Sequence, residues 1–455
     1  METVAIILAA GKGTRMKSSL PKVLHKIGGK PMVEHVICAA KEAGAEKQIV
    51  VIGHGAEAVR EQIGDAVEFA VQEPQLGTGH AVMQTEKILK NFQGTVLVLC
   101  GDTPLLNGAE LAKFIKIHKQ TKVGASVLTT NLDNPFGYGR IIRDTSGDVV
   151  GIVEEKDATA EQKAVKEINT GIYCLECPEM FNVLKGLSNN NAQGEYYLTD
   201  VLGKLRDAGK KIGAVTTDDA DMVMGINSRR QLAEAEQVLR QRILNKWMDE
   251  GVTIMDPAST FIEADVQIGN DTIIHPFTWL EGKTQIGSDC EIGPNARLTN
   301  VKVGTGTQLQ FIYAHDCSVG DNVTAGPFVH LRPDTEIGNK VKIGNFIEVK
   351  NSKVGVGSKL PHLSYIGDTD MGGGVNVGCG SIMVNYDGKT KHRTIVEDDV
   401  FIGCNSNLVA PVKLGKGCFI GAGSTITKDV PEGALAVARG KQTNIADWAK
   451  KYFKE

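Results

Sequence analysis

The string Leu8-Ala9-Ala10-Gly11-Lys12-Gly13-Thr14-Arg15-Met16 ends an apolar run, and Pro21-Lys22 follows it. Two glycines let a backbone approach a phosphate, and Arg15 and Lys22 bring cations that could hold a triphosphate. The string is neither a P-loop, which needs G-x-x-x-x-G-K-[ST], nor a full dinucleotide G-x-G-x-x-G. Gly101-Asp102 closes a second apolar run and puts a carboxylate at its end. Far downstream, Leu360-Pro361-His362-Leu363-Ser364-Tyr365 supplies a histidine, the side chain whose ordinary pKa suits a general base. Arg332, Lys350, Tyr365, Asn376, Asn385 and Tyr386 recur around it at spacings that let several converge. Each piece also has a plainer reading. Asp102 before Thr103-Pro104 could serve a turn, Asn227 before Ser228 could start a helix, and one histidine among ten is usually structural.

Two kinds of element must position these residues. In the first half, the β-rich runs Val4–Ala10, Ile49–Ile52, Val67–Val71, Val96–Cys100 and Ala125–Thr130 alternate with helical patterns at Val33–Ala43, His80–Leu89 and Ala109–His118. That alternation predicts a mostly parallel sheet covered on both faces, with ligands at the carboxyl ends of its strands. Sites are therefore expected after Ala10, Val71 and Cys100. Ser228 to Glu250 reads as one long helix, capped by Ser228, stopped by Gly251 and striped by Leu232, Ala235, Leu239, Ile243 and Trp247. The expected division is 1–227, a linker helix 228–250, and 251–455.

Beyond Val266 the pattern becomes aliphatic-Gly pairs, beginning at Ile268, Ile286 and Ile292 and ending at Ile402, Leu414 and Ile420. Several intervals are multiples of six, the mark of hexapeptide β-helix coils. A glycine-rich β-sandwich would alternate in twos and has no reason for a period of six. The period breaks worst at Gly380–Thr394, read as a loop leaving a coil.

Composition narrows the function classes. A net charge of −4 gives no general pull toward nucleic acid or an anionic membrane. No apolar stretch approaches the ~18 residues of a membrane helix, and the N-terminal run lacks a basic leader, so a cytoplasmic protein without membrane insertion is expected. Nine scattered cysteines fit a reducing compartment, and Cys174-x-x-Cys177 has no partner pair, so it reads as structural.

The whole L-A-A-G-x-G-T-R-M string with its later P-K resembles the sugar-nucleotidyltransferase (pyrophosphorylase) family. Gln72, Gln75-Leu76-Gly77-Thr78-Gly79-His80, Gly101-Asp102, Gly137-Tyr138-Gly139-Arg140, Val153-Glu154, Ile168-Asn169-Thr170-Gly171 and Gly225-Ile226-Asn227 follow in order. With the hexapeptide half, the chain resembles from end to end the bacterial bifunctional N-acetylglucosamine-1-phosphate uridyltransferase / glucosamine-1-phosphate N-acetyltransferase family. The resemblance implies an α/β Rossmann-like nucleotidyltransferase domain followed by an all-β left-handed parallel β-helix of hexapeptide repeats, assembled as a homotrimer. It implies that Gln72, Gly77 and Thr78 read the uracil of UTP, with Leu8, Ala9, Ala10 and Gly11 near the nucleoside. Arg15 and Lys22 would hold phosphates, Gly139, Glu154 and Asn169 the amino sugar, and Asp102 and Asn227 Mg²⁺.

For acetyl transfer the resemblance implies His362 as base, with Glu348 a candidate for setting its tautomer. Arg332 and Lys350 would bind the sugar phosphate, and Tyr365, Asn376, Asn385 and Tyr386 would orient substrate and acetyl group. Acetyl-CoA would run along Cys379, Cys404, Ala422 and Arg439. The family pattern has Ala and Ser where this chain has Cys379 and Cys404, and a thiol is a poorer hydrogen-bond partner than a hydroxyl. Lys441, Lys450 and Lys451 are read as a solvated C-terminal helix that could also meet CoA phosphates. Two other readings stay open: a single-activity pyrophosphorylase whose β-helix only assembles or regulates, and a non-catalytic subunit of a larger assembly.

Overall fold

A computed structural model describes residues 2–452. Met1 and residues 453–455, which fall within the expected domain bounds, lie outside the described residues. The chain separates into two compact units between Leu239 and Arg240.

In the first unit, alternating aliphatic strands build one sheet in the order Ile212–Thr216, Ala125–Asn131, Glu167–Cys177, Gly94–Cys100, Thr3–Leu8, Lys47–Ile52, Glu68–Val71. Every neighbouring pair on this path is parallel except those of Glu167–Cys177, which runs antiparallel to both its neighbours. The period of two sends Val4, Ile6, Ile49, Val51, Val96 and Val98 into one core layer and Ala5, Ile7, Val50, Ile52, Leu97 and Leu99 into the other, so both faces are covered. A hairpin of Arg140–Arg143 and Val149–Val153 joins the antiparallel strand at Ile168. That strand slips register between Asn169 and Tyr173, with Gly171 at φ 79°, so its bulge re-aims the side chains around it.

Two expectations need correction here. The His80–Leu89 pattern is helical only over Thr78–Met83. The chain then continues in tight turns, where the Thr85 hydroxyl bonds back to the Val82 carbonyl and competes with the helix ladder. The C-terminal basic segment is a short 3-10 turn, Trp448–Lys451, with its side chains exposed. The long helix spans Arg229–Asp249.

In the second unit, short parallel strands stack coil upon coil, for example Gln267–Ile268 on Gln285–Ile286 on Lys302–Val303. Every aliphatic of the repeating pairs, from Ile268 to Ile420, is buried in one continuous core. Aliphatics pointing inward once per short strand thus hold the coils together, and no coil could bury its own face alone. Corner residues adopt positive φ. One corner recurs at Phe328, Phe346, Leu363, Gly380, Asn405 and Gly423. The insertion is narrower than the expected Gly380–Thr394: Ile382–Val384 and Thr394–Val396 remain coil strands, and only the residues between them leave. It widens that coil, where Asp370 pairs with Ile395.

Candidate functional sites

The first site forms where the central strands end. The Gly101 N–H donates to the Leu8 carbonyl at 2.9 Å, which brings the ends of the Thr3–Leu8 and Gly94–Cys100 strands together. Lys22 bridges them: its Nζ donates to Asp102 Oδ2 in a short ion pair and to Asn227 Oδ1 at 3.1 Å. Lys22 and Asp102 keep only 14% and 18% of their side-chain surface exposed, so the pair is screened little by water. Asn227 is aimed by its own backbone N–H, which donates to Gln231 Oε1 at 2.9 Å. Next to Asp102, burial pushes the Cys100 thiol up to about 12, with the Asp102 carboxylate adding to the rise and Lys22 opposing it.

Three neighbouring groups extend this centre. The Asn169 N–H donates to the Gly139 carbonyl at 2.9 Å, and a Cβ on Gly139 would lie 3.3 Å from Glu154 Oε1, so Gly139, Glu154 and Asn169 share one pocket wall. Burial raises the Glu154 carboxyl, helped by the charges of Asp157 and Asp200. The Tyr173 hydroxyl donates to Asn169 Oδ1 at 2.9 Å, and the Tyr138 phenol is raised by burial, meets the Gly225 backbone and senses Asp102. Tyr138 thereby couples electrostatically to the Asp102 carboxylate. Its loop is anchored by the buried Arg140, which donates to the Tyr138 carbonyl and pairs with Glu155 at 2.7 Å.

Gln72 is buried, and its Nε2 donates to the Gly77 carbonyl at 2.9 Å and to His80 Nδ1 at 3.2 Å, while no described residue donates to its Oε1. Gly77 needs to be glycine: φ is 104°, and a Cβ would stand 2.8 Å from the Tyr196 carbonyl oxygen. Thr78 Oγ1 accepts from the Leu198 N–H at 3.1 Å. A Cβ on Gly11 would meet nothing within 4 Å, so the backbone there faces open space. Arg15 is exposed and makes no ion pair among the described residues, and its loop packs against Lys22, where a Cβ on Gly13 would fall within 2.5 Å of the Lys22 Cβ.

The second site lies on the coils. His362 Nδ1 stands 2.9 Å from Asn345 Oδ1. A carbonyl oxygen only accepts, so Nδ1 carries the hydrogen and Nε2 keeps its lone pair. Glu348, the sequence candidate for this role, instead pairs with Arg332 at 2.9 Å. Asn345 is the direct register partner of His362, while Glu348 is that of Tyr365. The missed signal was the one-coil spacing from residue 345 to residue 362. His362 and Asn376 both line a cavity of about 630 Å³ that also includes Lys342, Lys359 and Pro361.

Past the Leu363 corner, the chain gathers charge. Lys350 lies 3.5 Å from Asp368, whose carboxyl also accepts from Asn351 and Asn385, and Asn385 reaches the Tyr365 hydroxyl at 3.3 Å. Burial alone would raise Asp368, but these hydrogen bonds and Lys350 hold it below the ordinary aspartate range. Lys391, from the insertion and absent from the sequence reading, sits against Lys350, and hydrogen bonding and repulsion from Lys350 hold it below the ordinary lysine range. Cations crowded beside Arg332 form a place where an anion would be welcome. Tyr386 is mostly exposed, and its hydroxyl donates to the Gly388 carbonyl.

The remaining candidates form one column. Asn345 and His362 precede the corner residues Phe346 and Leu363, and Cys379, Cys404 and Ala422 precede Gly380, Asn405 and Gly423. Backbone bonds step along it, Asn405 N–H to the Cys379 carbonyl at 2.7 Å and Gly423 N–H to the Cys404 carbonyl at 2.8 Å. Arg439 ends the column by donating to the Ala422 carbonyl at 2.8 Å.

An α/β nucleotide-type sheet joined to hexapeptide coils defines a two-part transferase. The nucleotidyl transferase family model matches residues 4–255, and the bacterial transferase hexapeptide model matches 265–300, 316–346 and 393–428. Proteins called bifunctional protein GlmU align over nearly their whole length. One from Geobacillus sp. (strain WCH70) is 54% identical over 440 residues, 97% of this chain and 96% of the relative. One from Caldanaerobacter subterraneus subsp. tengcongensis is 55% identical over 454 residues, 100% and 99% of the two chains. One from Clostridioides difficile (strain 630) is 51% identical over 451 residues, 99% and 98%. The chain belongs to the GlmU family and is a bifunctional enzyme, with a nucleotidyltransferase and a hexapeptide acyltransferase in one polypeptide.

Proposed function

We propose that the coil site acetylates glucosamine 1-phosphate with acetyl-CoA, and that the sheet site then joins the product to UTP, releasing pyrophosphate and forming UDP-N-acetylglucosamine. The observation that carries the reading is the His362 tautomer: a histidine beside a large cavity, with Nδ1 tied to Asn345 and a free Nε2 lone pair, is built as a base. Nε2 takes the ammonium proton of the amino sugar, the amine attacks the thioester carbonyl, and CoA leaves as the thiol. Arg332, Lys350 and Lys391 neutralise the sugar phosphate, and Tyr365, Asn376, Asn385 and Tyr386 orient it. Cys379, Cys404, Ala422 and Arg439 flank acetyl-CoA, a role supported by their sharing a column with His362.

At the sheet site no protein nucleophile is needed, because the sugar phosphate oxygen attacks the α-phosphorus directly. The chain positions two mutually repelling anions and neutralises them. Leu8 to Gly11, Gln72, Gly77 and Thr78 hold the uridine end, Gly139, Glu154 and Asn169 the sugar, and Arg15 and Lys22 the phosphates. Asp102 and Asn227 are both hard oxygen donors already bridged by the Lys22 ammonium, so the donor set fits Mg²⁺ and these two residues would hold it. When bound, Mg²⁺ supplies charge neutralisation at the phosphates. With the cation held there, Lys22 would be free to turn from the two oxygens toward the phosphates.

The functional bounds we assign are 1–227 and 251–455, joined by 228–250. A homotrimer is supported by the exposed apolar corner at Phe277, Phe311, Phe328, Phe346 and Leu363, where Phe328 and Phe346 stack at 5.2 Å. No helix among the described residues is long and apolar enough to cross a membrane, and the substrates suit the cytoplasm. The test is omission. Pure protein with glucosamine 1-phosphate, acetyl-CoA, UTP and Mg²⁺ should yield the UDP-sugar, and each omission should stop one defined step. His362→Ala should lose acetyl transfer alone, and Lys22→Ala uridylyl transfer alone. Parallel loss of both activities in either variant would refute the assignment.

A further inference from the structure

The strand pairs Asn376 with Phe401 and Val377 with Ile402 continue in register to Cys379 and Cys404, and the Asn405 N–H to Cys379 carbonyl bond closes the same ladder. The two thiols therefore stand on adjacent coils at equivalent corner positions. Parallel neighbours lie roughly 4.8 Å apart, inside the roughly 4.4–6.8 Å Cα range of disulfides. Cys404 is exposed and Cys379 half-buried, whereas Cys174, Cys177, Cys290, Cys317 and Cys418 are buried. Gly378 and Gly380 on one coil and Gly403 on the next carry no side chains beside the pair. One coil away on the same column stands His362.

We infer that Cys379 and Cys404 form an oxidisable dithiol that switches off acetyl transfer when it closes. A small-molecule disulfide is the oxidant: one cysteine thiolate attacks it and displaces the first small thiolate, the second attacks the mixed disulfide and displaces the other, so the Cys379–Cys404 bond forms, the small disulfide is reduced, and the two cysteine protons leave on the two released thiols. A bridge at the exposed Cys404 is open to added thiol and so reversible. Closure draws the two coils' side chains together beside the base, on the edge where the proposed acetyl-CoA arm lies; the inference rests on that placement.

The experiment treats the full-length enzyme with oxidised glutathione, then maps disulfides by peptide mass and assays both activities. The expected result is a Cys379–Cys404 linked peptide, loss of most acetyl transfer, unchanged uridylyl transfer, and recovery with dithiothreitol. Cys379→Ala and Cys404→Ser should each lose the oxidation response, judged by the ratio of oxidised to reduced activity within the same variant. Absence of the linked peptide, a linked enzyme that still acetylates at the reduced rate, or inhibition that persists in both variants would overturn the switch. A separate measurement isolates the underlying reading: acetyl-CoA should slow alkylation of Cys404 in the reduced enzyme, and no protection would refute the placement of acetyl-CoA itself.

Discussion

Replacing Asn345 by Ala tests the base assignment at its least obvious point. The 2.9 Å contact to His362 Nδ1 is the only hydrogen bond the ring makes among the described residues. A bond of this kind is worth roughly 0.5–1.5 kcal/mol net, and roughly 1.4 kcal/mol is tenfold in rate, so kcat for acetyl transfer should fall about two- to tenfold. The loss comes from a ring free to rotate and to place its hydrogen on Nε2, where it cannot accept a proton. KM for both substrates should change little, because Asn345 touches neither in the proposed mechanism. Asn345→Asp keeps the acceptor and adds a negative charge, which favours the imidazolium and should move the acidic limb of the kcat/KM profile to higher pH. Steady-state CoA release from pH 5 to 9 reads both effects. An Asn345→Ala enzyme with normal kcat, or an Asn345→Asp profile that does not move, would show that Asn345 does not position the base.

Two further predictions use the burial of particular groups. Glu154 has a raised carboxyl, chiefly from burial and then from Asp157 and Asp200, so its charged form is held at a cost to folding. Its stabilising contribution is full below the ordinary glutamate pKa of about 4.3 and is lost as pH rises through the folded value. Glu154→Gln should therefore raise the thermal midpoint at pH 7 relative to wild type, with the gain vanishing below about pH 4, while weakening sugar binding; an unchanged midpoint at pH 7 would refute this. Leu408 is fully buried between coils, and Leu408→Ala should cost about 2–5 kcal/mol in urea unfolding, with acetyl transfer lost at lower temperature than uridylyl transfer. Equal thermal sensitivity of the two activities would contradict independent coil packing.

Much of the architecture was legible because burial imposes periods. Burial on both faces makes strands such as Lys47–Ile52 short continuous aliphatic runs, and the inward aliphatics from Ile268 to Ile420 must recur in steps near six to meet a core; a linear string records both directly. The antiparallel Glu167–Cys177 strand escaped, because Asn169-Thr170-Gly171 interrupts its apolar residues where the register slips, and residue types say nothing of strand direction. The short helix after Gly77 was overread because apolar spacing cannot show that the Thr85 hydroxyl diverts the ladder.

Residue types and order determined which side chains were available for chemistry: the Gly11–Lys22 string, Asp102, Asn227 and His362 stand out without any coordinates. Which of them meet was decided only by folding. Lys22 and Asn227 lie far apart in the chain, yet one ammonium joins Asn227 to Asp102. Asn345 and Lys391 gained their places because stacking of one coil on the next, and the path of the insertion, set what each side chain faces. Spacing along a chain fixes which face a residue occupies, but contact between distant segments depends on how strand ends and coil corners superpose, and only the tertiary fold contains that information.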